Sequence, residues 1–273
     1  MTDRSEALPL PSSAFVALED GRFAATGLTR GPWNDMHQHA GPPIALAARA
    51  IERAATALGL THVARLTANL LRPIPIGTLG VEVRTEYAGR NVAHFAARLI
   101  ADDKEVARFT AVAQRVGEVL IPEDLPGHPL PQAPRPVAES IPQRFPWATK
   151  LIGYHDLIES RVAQGVMFRG PSAVWMRTRY PLVPGEAPSP LQRVAVAADS
   201  GNGTSAVLDF ERYVFVNSDL TVNLLRRPQG EWICIDARTL LGPSGGGLAE
   251  ARIFDETGLV GRSTQSLAIR RRE

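Results

Sequence analysis

"RLTANLLRPIP", which runs from Arg65 to Pro75, returns 154 residues later as "DLTVNLLRRPQ", from Asp219 to Gln229. Sliding the chain against itself by that offset, without a gap, gives identical residues at 13 of 45 positions between 66–110 and 220–264. Composition alone would give roughly three or four identities. The identities fall in strand-like segments that are separated by turn-forming residues. The sequence therefore predicts two copies of one unit, each ending in an antiparallel meander.

Each copy also has a helical segment ahead of its meander. In the first unit, "GPPIALAARAIERAATALG" (Gly41–Gly59) has apolar residues at helical spacing, prolines in its first turn and a glycine at its end. Its small amount of polar surface predicts a helix that is buried against the sheet. In the second unit, "PLQRVAVAADSGNG" (Pro190–Gly203) is apolar up to Ala198, and its glycines predict a shorter or interrupted helix. Strand-like pieces precede both helices, at 15–26 and 172–182.

A proline-rich stretch, "IPEDLPGHPLPQAPRPVAESIPQ", lies between the two copies. Its prolines disfavour a regular helix or a central strand and favour an extended tether. The sequence therefore predicts an N-terminal unit over residues 1–120, a linker over 121–143 and a C-terminal unit over 144–273.

The composition indicates a soluble globular protein. Of its 273 residues, 44% are apolar and 21% are charged, and no apolar run approaches the ~20 residues that span a bilayer, so we expect no membrane insertion. Cys234 is the only cysteine, and the N-terminal stretch has acidic residues and no apolar signal core, which together favour a cytoplasmic protein. With a net charge of +2 and no basic stripe, nucleic acid is not an expected partner. The basic end, 269–273, is interpreted as a solvated tail or a weak anion contact.

Three segments of the second half carry a family resemblance: "VWMRTRYPLVPGEAPSPLQRVAVAADSGNG", "NSDLTVNLLRRPQGEW" and "GLVGRSTQSLAIR". They resemble the second half of type II acyl-CoA thioesterases and of the thioesterase-like superfamily. In the first half, "AGPPIALAARAIE" is similar to the step that leads into the family's Ala-rich helix. The resemblance implies an α+β double hotdog fold, in which two tandem units each wrap an antiparallel sheet around a central helix. It also implies an acyl-CoA substrate that is hydrolysed to free acid and CoA, with no metal or redox cofactor, and a possible homodimer.

The resemblance further implies a catalytic group. It consists of an acidic residue at the head of the strand after the second helix, a hydroxyl residue on the next strand and a glutamine on the last. The matching positions are Asp219, Thr239 and Gln265. Their counterparts at the 154-residue offset are Arg65, Thr85 and Ala111. Only the second unit has the complete set, so we expect one site per chain, with Asp219 as the general base for a water that Thr239 and Gln265 hold.

Three further residues are candidates for substrate binding. Gly41 allows close approach of a ligand to the first helical turn, where free N–H groups can bind an oxyanion. His39 is expected to line the ligand site, and Asp199 to cap the second helix or to line the same site. Simpler roles stay open for the catalytic candidates, because Asp219 can close a turn, Thr239 is a good strand former and Gln265 can be a surface residue.

Other motifs and activities are less favoured. "GPSGG" (242–246) satisfies the G-x-S-x-G pattern, but a strand-like segment follows it, so we interpret it as a hairpin loop. His37 and His39 have spacing that could bind a metal, yet no third ligand follows at a fitting distance, and the prediction is that there is no metal site. The glycines of "DSGNG" lack the strand, helix and lysine of a nucleotide phosphate loop. Hydration of enoyl thioesters would need an Asp–His pair in the helix region, and the second unit has no histidine after His155.

Two non-enzymatic hypotheses remain. A noncatalytic acyl or acyl-CoA binding protein would keep the acyl site without turnover, and a scaffold protein would bind no acyl ligand at all.

Overall fold

The computed structural model describes residues 10–120, 130–145 and 151–272. The strands of the first half are β1 (Phe15–Ala17), β2 (Phe23–Ala25), β3 (His62–Leu70), β4 (Thr78–Ala88), β5 (Val92–Ala101) and β6 (Lys104–Gln114). Those of the second half are β7 (Ile141–Pro142), β8 (Ile158–Gly165), β9 (Ser172–Thr178), β10 (Tyr213–Asn217), β11 (Asp219–Leu224), β12 (Ile233–Leu241), β13 (Gly246–Asp255) and β14 (Gly258–Arg271). The α-helices are α1 (Gly41–Ala57), α2 (Tyr154–Leu157), α3 (Pro190–Ala198) and α4 (Gly201–Thr204).

One antiparallel sheet runs through both units in the order β1-β2-β4-β5-β6-β3-β11-β14-β13-β12-β9-β8-β7, with β10 also on β14. The units join where β3 pairs with β11, and Thr67 lies opposite Thr221 at the centre of that pairing. The two hydroxyl oxygens are 3.2 Å apart, and the two residues are separated by 154 positions. An internal two-fold axis therefore passes between them, so the chain is arranged like a fused symmetric dimer.

The predicted meanders are confirmed, and the repeat keeps its offset through them. β5 and β13 begin and end 154 residues apart, and β6 and β14 begin at Lys104 and Gly258 with the same separation. The turn between β5 and β6 contains Asp102 and Asp103, both with positive φ (47° and 58°), as a two-residue hairpin turn requires.

The two long helices pack against each other in antiparallel fashion inside the curved sheet. The residues from Gly41 to Arg49 are all buried, as the scarcity of polar residues in α1 predicts. The predicted interruption in the second unit is also confirmed, because Asp199 and Ser200 separate α3 from α4. The two helices approach each other closely at Gly41, where an added Cβ atom would lie 2.7 Å from the carbonyl oxygen of Val196. No helix among the described residues is long and apolar enough to cross a membrane.

A β-bulge interrupts the second unit at Ser218. Along β14, Asn217 is paired with Leu267 and Thr221 with Thr264, so four steps on one strand oppose three on the other. One extra residue reverses the alternation of side chains between the two faces of the sheet. Phe215 and Leu220 are consequently both buried, although they differ by an odd number of positions. The bulge leaves Asn217 on the helix-facing side and Asp219 on the opposite side.

The predicted linker is only partly within the described residues, since 121–129 lie outside them. From Leu130 to Gln143 the chain contains one short 3₁₀ turn (Val137–Glu139) and the two-residue strand β7 at the sheet edge. The unit boundaries at 120 and 144 stay predictions.

Candidate active site

A cavity of about 340 Å³ lies where the two units meet. The first unit contributes residues from 31–40 and 70–74, and the second contributes residues from 199–203 and 216–218, together with Phe145 and Phe210. Trp33, Phe145 and Phe210 form an aromatic part of the wall. Trp33 packs 5.4 Å from Phe210 and 5.3 Å from the buried Phe215, measured between ring centroids. A mostly apolar cavity with a few converging polar groups is typical of a small-molecule site.

Asp199 supplies the negative charge of this cavity. It follows the last residue of α3, and its side chain is only 4% exposed. Its Oδ1 accepts a hydrogen bond from Nδ2 of Asn217 at 2.9 Å, and its Oδ2 lies 2.9 Å from Nδ1 of His39. A buried carboxylate requires such partners. Each oxygen has a further lone pair that can accept a hydrogen bond from a water or a substrate.

His39 comes from the other unit and is held flat against an aromatic ring. Its imidazole stacks on Tyr154 with 3.7 Å between ring centroids and 2° between the planes. The hydroxyl of Tyr154 donates to the carbonyl of Val196 at 2.8 Å and lies 2.9 Å from the hydroxyl of Ser200. Burial raises the pKa of Tyr154, and the contact with Ser200 offsets this only in part, so the phenol stays neutral. The histidine plane is therefore fixed by a rigid, uncharged platform.

Gln265 anchors the turn that carries Asp199. It is 2% exposed on β14, and its Oε1 accepts from the backbone N–H of Asn202 at 2.9 Å. Its Nε2 donates to the backbone carbonyl of Asp199 at 3.2 Å. The amide oxygen and the amide nitrogen of Gln265 thus both bind the turn between α3 and α4. Gln265 fixes the backbone of the site rather than facing the cavity.

The structure does not bring Asp219 and Thr239 into this cluster. Asp219 lies beyond the bulge at Ser218, and its Oδ1 accepts from the backbone N–H of Ser266 at 2.5 Å on the far side of β14 from Gln265. The hydroxyl of Thr239 is 2.8 Å from that of Ser205, behind α4. Neither residue lines the cavity. Of the three residues matched to the family's catalytic group, only Gln265 contacts the Asp199 turn.

The three candidates for substrate binding lie close together, but they differ in whether they line the cavity. His39 and Asp199 line the cavity, whereas Gly41 lies just behind His39. The N–H of Gly41 is 3.2 Å from Nδ1 of His39. The next two residues, Pro42 and Pro43, have no N–H, so Gly41 is the only donor among the first three residues of α1.

Asn217 and Tyr154 belong to the site and were not identified from the sequence. Asn217 is the last residue before the bulge, two positions ahead of Asp219, and an amide at the end of a strand gives little signal by itself. Tyr154 begins the short helix α2, which has no recognisable periodicity. The loop interpretation is confirmed for 242–245, which connect β12 to β13, while Gly246 is the first residue of β13. His37 bridges to Pro75, and the described residues contain no group of three potential metal ligands.

Comparison with known proteins identifies the chain's relatives. The family model of the acyl-CoA thioesterase C-terminal domain matches residues 122–269. The family model of the N-terminal domain matches residues 29–114. The acyl-CoA thioesterase II TesB2 of Mycobacterium marinum is 16% identical, with a TM-score of 0.64 over 95% of this chain and 96% of that one.

Two further solved structures are similar. The tesB protein of Mycobacterium avium subs paratuberculosis is 20% identical, with a TM-score of 0.65 over 91% of this chain and 92% of the other. A hotdog-fold protein of unknown function from Alicyclobacillus acidocaldarius is 16% identical, with a TM-score of 0.68 over 95% and 96% of the two chains. No curated protein matches the chain. These structural matches support the fold, and the domain models cover both halves; the chain therefore belongs to the acyl-CoA thioesterase family and has its double hotdog architecture.

Proposed function

We propose that this protein hydrolyses acyl-CoA thioesters to a free acid and CoA at the cavity between its two units. The observation that carries the proposal is the carboxylate of Asp199, which is buried at the polar end of an otherwise apolar cavity. Its place there favours Asp199 over Asp219 as the acidic residue that promotes attack by water. Membership of the acyl-CoA thioesterase family supports the substrate class.

Thioester hydrolysis needs a water that loses a proton as it attacks the carbonyl carbon. A water bound to Asp199 would meet a carboxylate whose orientation is fixed by Asn217 and His39. Gln265 would keep that carboxylate in place by holding the turn behind it. Thr239 would have a supporting part, because it contacts Ser205 at the end of α4.

The attack places negative charge on the carbonyl oxygen, which a backbone N–H can stabilise. Gly41 is the candidate donor at the start of α1. Its N–H contacts Nδ1 of His39 only when that nitrogen has a free lone pair. When Nδ1 carries a proton, the N–H of Gly41 is available for the oxyanion.

The acyl group would pack against the aromatic wall made by Trp33, Phe145 and Phe210. Each buried methylene contributes about 0.8 kcal/mol to binding by the hydrophobic effect. The internal two-fold places both halves of the site within one chain, so the site is complete without a second copy. We retain homodimer formation and a cytoplasmic location as separate hypotheses, which native mass spectrometry and cell fractionation would test.

The direct test is release of free thiol from a panel of acyl-CoAs of increasing chain length. We expect turnover by the wild-type protein and a loss of roughly 10²–10⁴-fold in kcat in Asp199→Asn, because the charge that promotes proton loss from the attacking water is removed. If no acyl-CoA is hydrolysed above the background of that variant, the enzyme hypothesis fails. Binding of acyl-CoA without turnover would then support the noncatalytic alternative.

Hydration of 2-enoyl-CoA is a second candidate, because the structure supplies the Asp–His pair that such a reaction needs. The second unit has no histidine after His155, but His39 reaches Asp199 from the first unit. Loss of the conjugated double bond of a 2-enoyl-CoA, followed in parallel with thiol release, separates the two reactions. Thiol release without loss of the double bond would exclude hydration.

A further inference from the structure

Two groups compete for one nitrogen of His39. Nδ1 lies 2.9 Å from Oδ2 of Asp199 and 3.2 Å from the backbone N–H of Gly41. The carboxylate can be bonded only if Nδ1 carries a proton, whereas the N–H of Gly41 requires a lone pair there. The contact with Asp199 is the shorter, and a carboxylate oxygen 2.9 Å from an unprotonated ring nitrogen would face its lone pair and be repelled, which favours a proton between Nδ1 and Oδ2. The neutral imidazole therefore has its proton on Nδ1 and its lone pair on Nε2.

The second nitrogen of His39 opens to the cavity. In the part of the chain that the structure describes, the polar contacts of the ring are all made by Nδ1, and Nε2 is not among the enclosed polar atoms that lack a partner. The residue lines the cavity, and its side chain is 10% exposed. Stacking on Tyr154 fixes the plane of the ring, and turning the ring over within that plane would remove Nδ1 from Asp199. Nε2 is thus a fixed hydrogen-bond acceptor in the cavity.

We infer that His39 is a catalytic residue that carries the proton in the hydrolysis proposed above, and that Asp199 acts through it. This inference rests on the proposed function and refines it. Nε2 takes the proton from the attacking water, and the charge of Asp199 stabilises the imidazolium that forms. The arrangement follows the general logic of a base whose tautomer is set by a carboxylate.

The proton and electron pairs balance over one turnover. The water oxygen bonds to the carbonyl carbon while its proton moves to Nε2, and the π pair of the carbonyl moves onto oxygen. When the carbonyl forms again, the C–S bond breaks and its electron pair stays on sulfur. Nε2 then gives its proton to the sulfur, so that CoA leaves as the thiol and His39 returns to the neutral Nδ1–H form.

Two variants separate proton transfer from positioning. In His39→Asn, the side-chain amide can still donate to Asp199 from about the place of Nδ1, but Nε2 is gone. We expect kcat to fall by roughly 10²–10⁴-fold with little change in KM. The loss should be smaller for thioesters of more acidic thiols, because those leave without being protonated. His39→Ala leaves a space beside Tyr154 that free imidazole can fill, and added imidazoles should restore activity in the order of their basicity.

A positioning role for His39 predicts different results. The loss would be equal for all leaving groups, and imidazoles would not restore activity in order of basicity; either result would overturn the inference. If His39→Asn retains the kcat of the wild type, the inference about His39 is overturned and the proposed function still stands. A wild-type protein that hydrolyses no thioester would instead overturn the proposed function and the proton transfer with it.

The tautomer of His39 can be measured without any substrate. Two-bond ¹H–¹⁵N correlation spectra of the wild-type protein should show Nδ1 protonated and Nε2 unprotonated, with His39→Asn used to assign the signals. In Asp199→Asn, the amide can pair with either a protonated or an unprotonated Nδ1. The preference of His39 for the tautomer with a proton on Nδ1 should therefore weaken. A wild-type spectrum with the proton on Nε2 would overturn this inference alone.

Discussion

The two ends of the helix pair are built alike and differ in what surrounds them. At one end, the start of α1 meets the end of α3, and Asp199 faces His39 beside an open cavity. At the other end, the start of α3 meets the second half of α1, and Glu52 accepts hydrogen bonds from Ser189 and Gln192. Both ends hold a carboxylate at a helix junction, buried at Asp199 and half-buried at Glu52. Glu52 is not among the residues that line the cavity, so a carboxylate at a helix junction does not by itself make a site.

The strands behind the helices differ between the two units in the residues that contact the Asp199 turn. At the 154-residue offset, Gln265 corresponds to Ala111 and Asn217 corresponds to Val63. Ala111 and Val63 are 1% and 6% exposed and belong to the apolar core. The two amides that hold Asp199 therefore have no polar counterpart at these positions of the first unit.

The largest effect should come from making the second unit resemble the first. In the double variant Asn217→Val and Gln265→Ala, Asp199 loses the donor to its Oδ1, and the turn loses both of its anchors. We expect kcat to fall by at least 10²-fold, and the free energy of unfolding to fall by roughly 1–3 kcal/mol for each buried group left unpaired. Thiol release and urea unfolding measure the two effects. Asn223→Val, at an exposed position of β11, is the control, and retention of kcat by the double variant would contradict this role for the amides.

A smaller effect is expected from Gly41→Ala, where the two helices touch at the end that contains Asp199. In Gly41→Ala, the added methyl would lie 2.7 Å from the carbonyl of Val196 and 3.2 Å from Nδ1 of His39. Overpacking of this kind costs about 1–3 kcal/mol, and the shift of His39 away from Asp199 should lower kcat. Thermal unfolding and kinetics are the measurements. Gly77→Ala, where an added Cβ meets nothing within 4 Å, should leave both unchanged.

The smallest effect is expected from Glu52→Gln, at the end of the helix pair where α3 begins. Burial raises the pKa of Glu52, and the bonds from Ser189 and Gln192 offset this only in part. A carboxyl with a raised pKa binds its proton more tightly in the folded state, so its contribution to stability is lost as the pH rises above the ordinary value. The free energy of unfolding of Glu52→Gln should therefore increase relative to that of the wild type as the pH rises above the ordinary pKa of a glutamate. A difference in unfolding free energy between the two proteins that stays constant with pH would contradict a raised pKa of Glu52. The substitution should leave kcat unchanged.

The fold could be predicted from the sequence because it depends on a repeat with a constant offset. The phrase that begins at Leu66 and Leu220 encodes paired strands on either side of an internal two-fold, and the prolines and glycines around α1 mark its ends. The interruption after Ala198 was also visible, since Gly201 and Gly203 disfavour helix. All of these are local signals that packing does not overrule.

The site could be predicted only in part, for a physical reason that one residue illustrates. The sequence places His39, Asp199 and Gln265 among the candidates and gives Asp219 the central role. The bulge at Ser218 adds one residue to the strand, which turns Asp219 away from the helices and leaves Asn217 facing Asp199. Since a one-residue slip reverses every side chain after it, a bulge that the sequence does not mark decides which face of the sheet Asp219 occupies, and the catalytic role of Asp219 stays a prediction.

The most direct test of the account is the ratio of kcat/KM for Asp199→Asn to that for Asp219→Asn, measured by thiol release on whichever acyl-CoA the wild-type protein hydrolyses fastest. Both substitutions replace a carboxylate with an amide of the same shape within the second unit. The account predicts that Asp199→Asn loses roughly 10²–10⁴-fold and that Asp219→Asn stays within a few-fold of wild type. Loss of activity in Asp219→Asn, with activity retained in Asp199→Asn, would contradict it.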